Sequence, residues 1–155
     1  MHYDQAMATI GVISVLLLLL STTIHYEALR LLSAVLPRMR IAPRSKLIAV
    51  LLTTFAAHAM EMLLYAVAFY LIVHYLDLGN LISEYLGGGR PSMSLCFYFS
   101  AETFTSLGYG DIRPTGPLRL LAGAEALNGL LLIGWSASFA YISMERFWER
   151  PGADR

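Results

Sequence analysis

Gly108 and Gly110 are separated by a single residue in the run Ser106-Leu107-Gly108-Tyr109-Gly110. An ordinary strand alternates the direction of its carbonyls, so pointing them all one way requires some residues at positive φ. Glycine adopts positive φ without steric cost. Stacked rings of carbonyls aligned in this way do one kind of chemistry: they replace the water shell of a bare cation. Ser106 can add its hydroxyl to its carbonyl and so supply extra oxygens at one end of the stack. Tyr109 is expected to point away from the carbonyl side, bracing the loop against Phe97, Tyr98 and Phe99. Gly-Tyr-Gly-Asp is also an ordinary turn sequence, so the surrounding elements must decide its meaning.

A second set of residues is ionisable within long apolar stretches. His58 and Glu61 are three apart and share one helix face. Counted along their helices, His58 and His25 both fall about 15–16 Å from the same membrane boundary. Histidine is a common metal ligand and titrates near neutral pH. His25, His58 and Glu61 are therefore a candidate proton- or metal-responsive group. The other reading is polar contact between helices, worth about 1 kcal/mol per hydrogen bond. Glu27 faces another side and is expected to pair with Arg30.

The elements that must position these residues follow from composition. Of the 155 residues, 57% are hydrophobic and 14% charged, with a mean hydropathy of +0.58. That balance cannot clothe a soluble domain of this size. The charges are gathered in short segments between three apolar runs, about Ala6 to Leu36, Leu47 to Leu76 and Leu118 to Phe147. Each run is long enough to cross a bilayer as a helix. The first lacks the basic start of a secretory signal and is expected to be retained. Pro37 is expected to end it. A shorter apolar stretch, Ser94 to Thr105, precedes the glycines and can lie at membrane depth only when protein or a water-filled cavity surrounds it. Its C-terminal end, near Thr105, would direct a negative dipole toward a central cavity.

The link between the first two runs carries Arg38, Arg40, Arg44 and Lys46 without an acidic residue. It is expected on the cytoplasmic side. This places the N-terminus outside, the glycine loop on the outer side and the C-terminus inside. Trp148, Tyr141, Tyr70 and Tyr75 fall near span ends, where aromatic belts form. The single cysteine, Cys96, has no partner within the chain, and no basic stripe suggests nucleic acid. No nucleophile–base pair or phosphate-cradling loop suggests an enzyme.

Thr-Ser-Leu-Gly-Tyr-Gly-Asp, residues 105–111, resembles the Thr-Thr-Val-Gly-Tyr-Gly-Asp signature of potassium channels. The resemblance covers roughly Leu47 to Trp148 in architecture and is close from Tyr98 to Pro114. It implies an all-α membrane protein of three transmembrane helices with a re-entrant pore helix and selectivity filter. One filter segment cannot enclose an ion, so the implied assembly is a homotetramer in a lipid bilayer. The expected segments are a first helix and basic link over 1–46, an outer helix over 47–76, a turret over 77–92 and a pore helix over 93–105. A filter follows over 106–110, then an inner helix over 118–148 and a short tail over 149–155. The implied permeant ion is K⁺, held by the carbonyls of Ser106, Leu107, Gly108 and Tyr109, with no other cofactor.

The lead-in Ser100-Ala101-Glu102-Thr103 is similar to that of the bacterial proton-gated member. It implies a contact behind the filter between Glu102 and Asp111. Two close carboxyl groups do not both ionise readily. Tyr98, Phe99 and Thr105 complete the expected filter support. On the inner helix, Gly129 falls at the family's hinge position and Gly134 is a second candidate, close helix packing being the other explanation for either. Leu130, Ile133, Ala137 and Tyr141 are expected to face the cavity or inner gate. Glu125 and Asn128 are expected to bond the pore helix or a neighbouring subunit, and Arg119 to anchor the outer interface. Serine and leucine replace the family's threonine and valine at 106 and 107, so a weakly selective cation channel is one alternative. A non-conducting accessory subunit of a transport system is another. The loop from Asp77 to Pro91, with Gly87-Gly88-Gly89, is expected to be a flexible outer turret.

Overall fold

The computed structural model describes residues 2–83 and 87–148. The expected tail over 149–155, the middle of the turret and the side chain of Trp148 lie outside the described residues. Three long helices dominate: α1 (His2–Val35), α2 (Pro43–Leu71) and α4 (Leu118–Trp148). All three are long and apolar enough to cross a membrane. A fourth, α3 (Met93–Phe104), is too short to do so. The all-α membrane architecture read from the sequence is borne out.

Local chemistry sets the ends of these helices. α1 stops at Val35, and Pro37 sits within a single 3₁₀ turn, Leu36–Arg38, rather than at an abrupt end. α2 opens with a proline in its first turn, where the missing N–H is not needed. It closes in a π turn, Ile72–Leu76, which Asp77 terminates in the left-handed conformation. The Arg90 guanidinium donates to the freed His74 carbonyl at 2.8 Å. Ser92 caps α3 by accepting from the Leu95 N–H.

α3 packs between α2 and α4, while α1 packs along both. Tyr65, Phe69, Cys96, Phe99, Phe104, Leu121 and Leu132 form the centre of the resulting core. Burial pushes the Cys96 thiol up to about 11, which leaves it un-ionised in the core. Leu16, Leu19, Leu31, Leu52 and Phe55 remain exposed on the outer faces of α1 and α2. In water such a surface is a liability; against lipid tails it costs nothing.

The loop after α2 departs from the expected flexible turret. Within it, β1 (Leu81–Ser83) pairs antiparallel with β2 (Ile112–Pro114), directly after the glycine loop. Asn80 and Thr115 lock the base of this pair: the Thr115 N–H and hydroxyl both donate to the Asn80 carbonyl, at 2.8 and 3.0 Å. Gly79 is required here, because a Cβ at its φ of +134° would collide with the Thr115 carbonyl. At the tip, Gly87 and Gly88 have open space around them.

Candidate functional site

At the C-terminus of α3 the last carbonyls lack helical partners and must find them in the loop beyond. Thr105 places its hydroxyl on the Ala101 carbonyl at 2.7 Å, and the Ser106 N–H turns back to Thr103. Backbone φ is then positive at Ser106 (57°), Gly108 (54°) and Gly110 (80°). The alternation falls where the glycines predict it, with Ser106 as an additional, non-glycine member. An L-residue at positive φ is strained and persists only where its surroundings impose it.

Glu102 supplies those surroundings. Its backbone carbonyl accepts from Leu107 N at 2.8 Å and from Gly108 N at 3.2 Å. Its side-chain Oε2 accepts from Tyr109 N, also at 3.2 Å. Three successive amides therefore turn toward one buried residue. In a planar trans peptide, N–H and C=O point opposite ways. The carbonyls of Ser106, Leu107 and Gly108 are thus directed away from Glu102, on an exposed face of the protomer. The role of Glu102's own backbone was not visible in the sequence, because it depends on how α3 ends.

The second carboxyl lies close behind the loop. Asp111 accepts from the Tyr98 hydroxyl at 3.2 Å and from Ile112 N at 3.1 Å. Burial, and then the neighbouring Asp111 carboxylate, hold the Glu102 carboxyl above its ordinary range against the opposing pull of the Tyr109 N–H. Within one protomer the Tyr109 ring is not packed against α3. Tyr109 is 69% exposed, and Phe97 and Tyr98 are also exposed. Phe99 turns the other way, edge-on to Phe69 of α2 at 5.0 Å. It fixes α3 to α2 rather than supporting the loop directly.

On α4, the buried face carries Leu121, Glu125, Asn128, Gly129, Leu132 and Ser136, at helical spacing. A Cβ built at Gly129 would fall inside the Phe104 carbonyl group, so the end of α3 rests directly on this glycine. α4 continues unbroken through Gly129. Of the two explanations for this glycine, close packing is the one the geometry carries. Gly134 has open space around it. Leu130, Ile133, Gly134, Ala137 and Tyr141 all lie on exposed surface of the protomer. Glu125 meets the pore helix, as expected: the Ser100 hydroxyl lies 2.5 Å from its Oε1 and 2.8 Å from the Met62 carbonyl. Asn128 does not. It donates instead to Ser21 of α1 at 2.9 Å and to Tyr65 of α2 at 3.2 Å, joining three helices.

The histidines meet at one depth. His25 Nδ1 and His58 Nδ1 each lie 2.9 Å from Glu61, one on each carboxylate oxygen. Their rings stack at 5.1 Å. Both Nε2 atoms face the Ser136 hydroxyl, at 3.3 Å from His25 and 3.0 Å from His58. The sequence reading missed Ser136, although it shares a helix face with Asn128 and Leu132. Glu27 pairs with Arg30 at the surface, both carboxylate oxygens accepting from one guanidinium nitrogen at 2.8 and 2.9 Å.

Residues 47–146 match the family model described as ion channel. Over 74 residues the chain is 38% identical to the inward rectifier potassium channel Kirbac3.1 of Paramagnetospirillum magnetotacticum. That stretch is 46% of this chain and 24% of the relative, so the chain spans about a quarter of the relative's length. No solved structure matches. With the family model covering most of the chain, α2, α3, the glycine loop and α4 are the parts of a channel subunit rather than of an enzyme. The chain belongs to the ion channel family, which bears out the pore-loop resemblance of its glycine signature.

Proposed function

We propose that four copies of this chain surround a central axis and conduct K⁺ selectively and passively, with residues 106–110 as the filter. The observation that carries this reading is the turning of the Leu107, Gly108 and Tyr109 amides onto Glu102. It leaves three consecutive carbonyls free on an exposed face, each able to replace part of an ion's hydration. Four such faces around an axis make stacked rings of oxygens. Tyr109 contributes the next carbonyl, and its exposed ring is free to pack against a neighbouring copy. The name of the 38%-identical relative, a potassium channel, favours K⁺ as the ion.

The remaining parts fit around this axis. The C-terminal end of α3 directs its dipole inward below the filter, which favours a cation there. The exposed stripe Leu130, Ile133, Ala137 and Tyr141 lines the path beyond, as an apolar constriction able to gate by dewetting. The basic link before α2 lies on the cytoplasmic side of a cell membrane, taken to be a bacterial inner membrane, with the N-terminus outside. Reconstitution in liposomes tests the proposal. Rubidium or thallium uptake should resist competition by sodium and should be lost in Gly110→Ala. Uptake that sodium blocks equally well would leave only a weakly selective cation pore, and no uptake would leave an accessory subunit.

A further inference from the structure

The three-residue group buried between α1 and α2 has no part in conduction through the filter. We infer that His25, His58 and Glu61 form a binding site for a Zn²⁺-type divalent transition-metal cation, one per chain. Two imidazoles and a carboxylate are a donor set suited to such ions. One ligand atom from each residue lies within 4.8 Å of the others. Tetrahedral ligands about 2.1 Å from zinc stand about 3.4 Å apart. Each pair of donors therefore needs to close by no more than about 1.4 Å, a distance on the scale of side-chain rotation.

The outer contacts favour a metal further. Glu61 faces both Nδ1 atoms, and Ser136 faces both Nε2 atoms. When two neutral imidazoles each donate Nδ1–H to Glu61, both Nε2 atoms present lone pairs to one hydroxyl. That hydroxyl has a single proton, so one of the two contacts goes unmade. With a metal ion on both Nδ1 atoms, each ring carries its proton on Nε2 instead. Both Nε2–H groups then donate to the two lone pairs of Ser136 Oγ. A ligating histidine characteristically gives its second N–H to such a fixed acceptor. Both imidazole N–H groups then have an acceptor.

Access is provided from one side. His25 and Glu61 are fully buried, whereas the His58 side chain keeps 15% of its surface exposed. The bound ion would fasten α1 to α2 directly and engage α4 through Ser136. The extra first helix would thereby be tied to the channel domain.

The test uses tag-free, full-length protein in detergent, stripped of metal and titrated with Co²⁺ and then Zn²⁺. Expected are saturation near one ion per chain, a Co²⁺ visible absorption band of tetrahedral type, its loss on adding Zn²⁺, and a higher melting temperature with metal. His58→Gln should abolish the band, and its metal-free melting curve shows whether the fold persists. Ser136→Ala should retain the band and weaken affinity about 10- to 100-fold. Wild-type protein that binds neither ion saturably would overturn the inference and leave a polar network only. Binding that is unchanged in a folded His58→Gln would do the same. Neither measurement involves ion flux, so the result stands apart from whether the pore selects K⁺.

Discussion

Glu102 joins the helix to the loop through two backbone bonds and one side-chain bond, and only the last can be removed by mutation. In Glu102→Ala the part-buried Tyr109 N–H loses its acceptor, a loss of about 0.5–1.5 kcal/mol. The expected outcome is a filter that conducts briefly and then collapses, seen as a shortened open time in planar bilayers. The carboxyl also carries a pH dependence. Its folded value lies above the ordinary 4.5, so the unfolded state gives up its proton first as pH rises. This contribution to stability is full below 4.5 and is lost as pH climbs through the raised value. Thermal melts across that window should show it, and Glu102→Gln should flatten the profile. That Glu102 sits behind the loop was expected from the motif Ser-x-Glu-Thr, by resemblance. The strained φ of Ser106 was not, since nothing in a serine's chemistry announces a left-handed backbone.

At the scale of elements, α4 is fixed to the rest of the subunit by a missing side chain and by a polar bridge. Gly129→Ala would drive a methyl group into the Phe104 carbonyl, where backbone cannot yield cheaply. A destabilisation of about 1–3 kcal/mol is expected, visible as a lower melting temperature and loss of flux. Gly134→Ala meets open space within the helix and should leave the melting temperature unchanged or slightly raised. Asn128→Leu removes bonds to both Ser21 and Tyr65. Its expected loss is about 1–2 kcal/mol, read in the same melts. The helices themselves were legible as three apolar runs, and their ends shifted by only a few residues. Partner choice was not: periodicity places Asn128 on a buried face without saying which helix lies opposite. The β1–β2 pair was hidden for a related reason. Its three-residue strands are far apart in sequence, and a glycine-rich loop gives no alternation by which to find them.

At the scale of the whole molecule, the proposed tetramer would bring the exposed carbonyl face, the exposed Tyr109 ring and the apolar stripe on α4 around one axis. A particle of four times the 17.2 kDa chain mass, after correction for bound detergent, is the expected assembly in solution. Light scattering with refractive-index detection gives that number. A monomer or dimer would leave each filter open on one side. The most direct test of the central claim is the reversal potential in planar bilayers with potassium on one side and sodium on the other. Carbonyl rings built on residues 106–109 predict a reversal potential far from zero, with the potassium side negative, because K⁺ leaves more readily than Na⁺ enters. A reversal near zero would contradict the assignment of these carbonyls as a potassium-selective filter.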